Sequence, residues 1–198
     1  LLCRIVDSIE DQPGLGTSLR GELFEAFDGV LGSGGDPAEL ERRLVASAVG
    51  ADGADGALCR HAGAAVRELR RLPLRQQRAI VPWILEMSSG MREYSARLDD
   101  RGELRVADLA DLERYCYFVA GTVGKLLTEL FLDFVADVSA EQQRELEARA
   151  VAFGVGLQLV NILKDVADDA RRNVCFLPRD LARRDGVLLE RILEPEQR

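Results

Sequence analysis

The chain has 198 residues, which is enough for one domain with a sizeable hydrophobic core. Hydrophobic residues make up 47% and charged residues 30%, a balance typical of globular proteins. The longest apolar region, residues 115–138, is interrupted by charged residues such as Lys125 and Glu129, so the sequence predicts no membrane-spanning helix. The net charge of −8 argues against non-specific nucleic-acid binding, and it disfavours an anionic ligand unless cations reverse the local charge.

The first predicted helix carries an acidic pattern. Residues 4–11 read RIVDSIED, in which Arg4, Asp7 and Asp11 are three and then four positions apart. This spacing places the three side chains on one helical face, with apolar residues between them. One such aspartate pair is weak evidence by itself, because solvated helix faces often carry acids at this spacing.

The middle of the chain predicts a series of helices separated by Gly- and Pro-containing breaks. The first of these helices is expected from Thr17 or Ser18 to about Leu31, the second over 37–49 after an Asp-Pro start, and the third over 57–71. The fourth is expected from Pro73 to about Leu98, with a kink or break at Pro82. The fifth is expected over 107–135, after a turn at 101–103. Within the last of these, Gly121 and Gly124 need a reason, because an interior glycine costs about 1 kcal/mol relative to alanine. Close helix packing and the wall of a cavity are the two alternatives.

The last long helix begins at a capping box formed by Ser139 and Gln142 and is expected to end near Asp169. Gln158, Asn161, Asp165 and Asp169 share one stripe of this helix. Because its other faces are mostly apolar, we expect it to be buried. Buried carboxylates need partners or a metal, although a solvated helix end is the alternative. A short helix over 179–184 and a helical stretch before Pro195 complete the prediction, which contains no strand.

Two Asp-x-x-x-Asp pairs on separate helices predict a shared site if the helices face each other. Four clustered carboxylates repel one another unless cations lie between them. Mg²⁺ prefers oxygen ligands, and it commonly bridges carboxylates to substrate phosphates. The sequence therefore predicts a Mg²⁺ site at Asp7, Asp11, Asp165 and Asp169 that binds a diphosphate.

Four segments together resemble the squalene/phytoene synthase family, which joins two allylic prenyl diphosphates head to head. They are RIVDSIED at 4–11, MSSGM at 87–91, YCYFVAGTVG at 115–124 and GLQLVNILKDVADD at 156–169. The resemblance implies an all-α, isoprenoid synthase-type helical bundle around a central apolar cavity, formed by residues 1–198 as one domain. Family members extend beyond both ends of this sequence, so the domain is expected to be partial.

The resemblance also implies roles for individual residues. The four aspartates would act in catalysis through Mg²⁺, and Tyr115 would steer the carbocation or assist proton loss. Arg4 and Lys164 would bind diphosphate oxygens, with Gln158 and Asn161 orienting the polar groups. The expected contacts of the prenyl chains are Met91, Val119 and Gly121.

The product is left open at this stage. The segment around Tyr115 favours a squalene-type reaction on two farnesyl diphosphates with NADPH, and the alternative is phytoene-type condensation of two geranylgeranyl diphosphates without a reductant. Two features depart from the family pattern. Lys164 stands where many members have arginine, and residues 176–178, Phe-Leu-Pro, occupy a segment where many carotenoid-type members have a tyrosine. A head-to-tail prenyltransferase, a terpene cyclase and a non-catalytic assembly partner are the competing classes.

The expected location is the cytoplasm, with transient contact to the membrane surface because the product is oil-like. The four cysteines are far apart in sequence and are expected to be reduced thiols. No nucleic-acid partner is expected, and the oligomeric state is not predicted.

Overall fold

The computed structural model describes residues 1–50, 53–98, 104–171 and 174–191. The chain is 78% helical, so the predicted all-α class is confirmed. The helices are α1 (Leu2–Asp11), α2 (Thr17–Gly32), α3 (Pro37–Ala46), α4 (Gly53–Cys59), α5 (Ala62–Arg71), α6 (Leu74–Ser95), α7 (Leu109–Cys116), α8 (Thr122–Phe134), α9 (Ala140–Arg171) and α10 (Arg179–Arg184), with a 3-10 turn at Leu189–Arg191.

Several helix starts follow from capping groups that the sequence displays. The Asp36 carboxylate accepts a hydrogen bond from the backbone N–H of Ala38 at 2.9 Å, and α3 begins at Pro37. The predicted capping box is present, because the Gln142 N–H donates to Ser139 Oγ at 3.2 Å and the Ser139 N–H donates to Gln142 Oε1 at 2.9 Å. These contacts satisfy backbone donors that a helix start leaves without partners.

Two predicted helices are interrupted. The helix expected over 57–71 is divided into α4 and α5, which are separated at Arg60 and His61. The helix expected over 107–135 contains a five-residue π-helical segment, Tyr117–Gly121, between α7 and α8. Helix α6, in contrast, continues through Pro82.

The prediction that the chain has no strand was also wrong. Two-residue strands β1 (Leu104–Arg105) and β2 (Val174–Cys175) pair in parallel. This pairing joins distant parts of the chain, so a local sequence pattern cannot reveal it. The expected turn at 101–103 and the expected helical stretch before Pro195 lie outside the described residues.

Helix α6 occupies the centre of the core. It packs against α1, α2, α8 and the π-helical segment, whereas α9 packs against α7, the π-helical segment, α8 and β2. On α1 the side chains of Ile5, Val6 and Ile9 are completely buried. Anchoring α1 by this apolar face leaves its acidic face available to a pocket.

Glycines allow very close helix contacts between the α7–α8 region and its neighbours. A Cβ atom at Gly154 would lie 2.1 Å from the carbonyl oxygen of Ala120, and one at Gly124 would lie 2.0 Å from that of Ala150. Close packing is therefore the reason for Gly124. At Gly90 a Cβ atom would lie 2.1 Å from Cγ of Phe118, so the Phe118 side chain packs directly against the backbone of α6 there.

The expectation that α9 is buried was wrong for one of its faces. Its exposed apolar side chains, 43–69% accessible, are Leu146, Phe153, Leu157, Val160 and Leu163. Helix α9 packs through its opposite face, where Ala150, Gly154 and Ile162 are buried. It is also the one helix among the described residues that is long and apolar enough to cross a membrane, which is weak evidence because it rests on length and composition alone.

Candidate functional site

One pocket brings the two predicted acidic faces together. Its volume is about 450 Å³, and α1 and α9 form its opposing walls. Eleven of its fourteen lining residues are polar or charged. The lining residues are Arg4, Asp7, Glu10, Asp11, Tyr115, Val119, Gln158, Asn161, Ile162, Lys164, Asp165, Asp168, Asp169 and Phe176.

The α1 wall combines one arginine with three acids. Arg4 donates from Nη1 to Asp7 one turn further along the helix, and its Nε and Nη2 donate to Asp55 on α4 at 2.9 and 2.7 Å. At the end of α1, the buried Arg20 donates to the carbonyl oxygens of Ile9 at 3.3 Å and Gln12 at 2.8 Å. Arg20 thereby places a positive charge beside helix-end carbonyls that carry partial negative charge.

The α9 wall presents the polar stripe that the sequence predicted. Asp169 is buried, with 7% of its surface exposed, whereas the Asp165 side chain is 43% exposed. Lys164 Nζ lies 3.5 Å from Asp165 Oδ2. Ile162, on the same wall, is buried and also lines the pocket.

Tyr115 lies between the pocket and the core and is 5% exposed. The Phe176 ring stacks on it, with centroids 4.5 Å apart and planes at 21°, while the Tyr94 ring meets it edge-on at 5.1 Å. The Tyr115 hydroxyl faces Glu10 as a hydrogen-bond donor. Aromatic packing on two sides therefore fixes the ring while its polar end points to the acidic wall.

Charge crowding changes the acid–base properties of the pocket. Burial, followed by repulsion from Asp11, raises the pKa of Asp7 to about 6, although Arg4 opposes the shift. Burial and the same two aspartates raise the pKa of Glu10 well above its usual value. Burial, followed by the Glu10 charge, also raises the pKa of the Tyr115 hydroxyl. A bound cation would relieve this crowding.

The pocket includes ten of the twelve predicted site residues. Met91 and Gly121 are not among its lining residues. Met91 is completely buried in the core, and Gly121 faces Tyr117 and Val151, whose nearest atoms would lie 3.0 and 3.3 Å from an added Cβ. Residues that line a cavity and residues that pack against another helix recur at the same spacing along a helix. The sequence therefore could not show that Met91 and Gly121 belong to packed interfaces.

Four lining residues were not predicted as site residues: Glu10, Ile162, Asp168 and Phe176. Glu10 stands inside the acidic segment, three positions after Asp7, so its spacing was an available signal. Asp168 follows Asp165 by three positions, so its spacing was an available signal as well. Phe176 comes from the segment after β2, and no sequence pattern places it over Tyr115.

The pocket offers several carboxylate oxygens, which are the kind of ligand that Mg²⁺ prefers. Asp7, Asp11, Asp165 and Asp169 line the pocket, and they are the residues that would contribute such oxygens to a metal ion. Within the described parts of the chain, no group of three His, Cys, Asp or Glu residues is arranged to hold an ion. Mg²⁺ commonly uses only one or two protein carboxylates together with water and substrate phosphates, so a magnesium site does not require three grouped acids.

Comparison with known proteins shows which family the chain belongs to. A sequence model described as squalene/phytoene synthase matches residues 1–198. Phytoene synthase of Thermus thermophilus is 38% identical over 112 residues, which cover 57% of this chain and 36% of that protein. The 15-cis-phytoene synthase of Pantoea ananas is 33% identical over 99 residues, which cover 50% of this chain and 29% of that protein. The chain therefore belongs to the squalene/phytoene synthase family, whose members condense prenyl diphosphates head to head.

A solved structure shows the same fold. The structure of TcSQS, a squalene synthase in complex with the ligand BPH1237, matches with a TM-score of 0.76 at 22% sequence identity. The match covers 99% of this chain and 53% of that chain. The sequence thus spans about half the length of this neighbour and about a third of the curated relatives named above.

Proposed function

We propose that this chain forms the diphosphate-binding part of a phytoene synthase-type prenyltransferase, which condenses two geranylgeranyl diphosphates head to head. The observation that carries the proposal is that carboxylates of α1 and of α9 line one and the same pocket. The choice of the C20 substrate rests on the curated relatives, which are named phytoene synthases at 33–38% identity. These relatives favour the phytoene alternative over the squalene-type reaction that the segment around Tyr115 suggested.

The pocket residues divide the work by their chemistry. Arg4 and Lys164 bind diphosphate oxygens, and Gln158 and Asn161 orient the polar groups by hydrogen bonding. Mg²⁺, when bound, neutralises the diphosphate and so promotes its departure. Tyr115, fixed by Phe176 and Tyr94, presents its hydroxyl where positive charge develops in the prenyl group. Val119 and Ile162 exclude water from that position.

Two other functions are outcomes of the same test. A squalene-type enzyme would use farnesyl diphosphate and NADPH, and the segment around Tyr115 is the feature that favours it. A non-catalytic family member would bind neither substrate productively. The NADPH requirement and contact with a membrane surface stay predictions.

A product assay tests the proposal. The protein is incubated with Mg²⁺ and either geranylgeranyl or farnesyl diphosphate, the latter with and without NADPH, and extracts are analysed by gas chromatography with mass detection. We expect a C40 hydrocarbon from geranylgeranyl diphosphate that is lost in Asp165→Ala and retained in Glu145→Gln, a control on the same helix. Squalene formed from farnesyl diphosphate would instead establish the alternative, and no product from either substrate would contradict an enzymatic role.

A further inference from the structure

Arg4 is shared between a carboxylate inside the pocket and one outside it. Its Nε and Nη2 atoms form a fork with Oδ1 and Oδ2 of Asp55 at 2.9 and 2.7 Å, while Nη1 donates to Asp7. Arg4 and Asp7 line the pocket, whereas Asp55 is not among the lining residues. Three of the five guanidinium N–H groups are therefore engaged by two carboxylates, which leaves two that can reach an incoming anion.

The backbone that carries Asp55 is fixed against the end of α1. Gly50 has a φ of +58°, and a Cβ atom there would lie 2.9 Å from the carbonyl carbon of Asp55. The backbone N–H of Gly50 donates to Oε1 of Gln12, directly after α1, at 2.9 Å. Asp55 is thus connected to α1 near both ends of that helix, directly at Arg4 and, because Gly50 packs against its backbone, indirectly at Gln12.

The net charge of the pocket does not explain why a carboxylate, Asp55, lies beside Arg4. The α1 wall already carries Asp7, Glu10 and Asp11, and a further acid makes the pocket less favourable for an anion. An arginine prefers to form two parallel hydrogen bonds with one carboxylate. Without Asp55, the Arg4 fork would close on Asp7, which is the nearest acid on its own helix and one of the predicted metal ligands.

We propose that Asp55 is a positioning residue, which holds the guanidinium of Arg4 at the pocket mouth and keeps Asp7 available to a metal ion. By occupying the Nε–Nη2 edge, Asp55 directs the rest of the guanidinium toward the space between α1 and α9. This inference rests on the proposed function, since it assumes that the pocket binds a diphosphate together with Mg²⁺. It assigns a role to a residue 51 positions away from Arg4 in the chain.

The test measures the affinity of inorganic pyrophosphate at a fixed Mg²⁺ concentration by titration calorimetry. The proteins are the wild type, Asp55→Asn, Arg4→Gln and the double variant, with Glu68→Gln as a control that removes the acid of another exposed arginine pair. An exposed ion pair is worth up to about 1 kcal/mol, so we expect Asp55→Asn to weaken binding about three- to five-fold. We expect the same substitution to have no further effect in the Arg4→Gln background, and Glu68→Gln to bind like the wild type.

The outcomes separate this inference from the proposed function. If the wild type binds pyrophosphate with Mg²⁺ and Asp55→Asn binds equally well, the role of Asp55 is rejected while the site stands. If Asp55→Asn weakens binding equally with and without Arg4, Asp55 does not act through Arg4 and the inference is wrong. If the wild type itself binds no pyrophosphate in the presence of Mg²⁺, the proposed function fails and the inference fails with it. Thermal unfolding of each variant checks that a loss of affinity is not a loss of fold.

Discussion

The backbones of α8 and α9 approach each other closely at Gly124 and Ala150, because a Cβ atom at Gly124 would lie 2.0 Å from the carbonyl oxygen of Ala150. This contact fixes the position of α9, and therefore of its polar stripe, relative to the Tyr115 segment. The neighbouring atom belongs to the backbone of a helix, so it cannot move aside as a flexible side chain could.

We expect Gly124→Ala to destabilise the protein by about 3 kcal/mol or more, because overpacking at a rigid backbone contact forces the helices apart. Urea unfolding measures the change in the free energy of unfolding. Gly156→Ala on α9 is the matched control, since no atom of the described residues lies within 4 Å of its Cβ position. Alanine at that exposed helix position should stabilise the protein by up to about 1 kcal/mol. Equal effects of the two substitutions would contradict the packing described here.

The raised pKa of Asp7 predicts that removing its carboxylate increases the stability of the fold at neutral pH but not at low pH. Its pKa in the folded protein is about 6, above its ordinary value of 3.8, so the folded state binds this proton more tightly than the unfolded state. The contribution of Asp7 to stability is therefore most favourable below about pH 4 and is lost as the pH rises through 6. We expect Asp7→Asn to unfold at a higher temperature than the wild type at pH 7.5 and at nearly the same temperature at pH 4. A difference of the same size at both pH values would show that charge crowding is not its cause.

We expect the loss of the buried Arg20 to destabilise the protein more than the loss of an exposed arginine. Replacing it by methionine removes two hydrogen bonds to the carbonyls of Ile9 and Gln12 at the end of α1, and we expect a loss of roughly 2 kcal/mol. Arg144→Met is the control, because Arg144 also donates to a backbone carbonyl, that of Ala140, but in an exposed position. Its loss should cost less than about 0.5 kcal/mol. Chemical denaturation of both variants measures the difference, and a similar cost for the two would argue against a special role for the α1 end.

The exposed apolar face of α9 predicts self-association or binding of hydrophobic probes. Phe153 and Val160 are each 62% exposed, so replacing both by serine removes apolar surface without opening a cavity. We expect the double variant to bind less of a hydrophobic fluorescent dye than the wild type. We also expect it to form fewer oligomers in analytical ultracentrifugation, at nearly unchanged thermal stability. Unchanged dye binding together with a loss of stability would show that this face is covered in solution.

The sequence predicts the helical class and most of the pocket because both depend on short, regular spacings. Asp7 and Asp11 on α1, and Asp165 and Asp169 on α9, lie on one face each because the helix period requires it. Relationships across long stretches of chain were not predictable in this way. Asp55 reaches Arg4, Phe176 covers Tyr115 and β1 pairs with β2 through the tertiary fold, and nothing in their local sequence marks a partner. Met91 was placed in the site for the converse reason, since core and cavity positions share one spacing.

The most direct test of the central claim is whether carboxylates from both helices hold one divalent ion. Mn²⁺, a paramagnetic substitute for Mg²⁺, is titrated in the presence of pyrophosphate, and the free ion is measured by electron paramagnetic resonance. The proteins are the wild type, Asp11→Asn on α1 and Asp165→Asn on α9, with Glu145→Gln on α9 as the control. We predict tight binding to the wild type and the control, and a loss of at least ten-fold (about 1.4 kcal/mol) for each aspartate variant. Undiminished binding in either aspartate variant would contradict a site built from both helices.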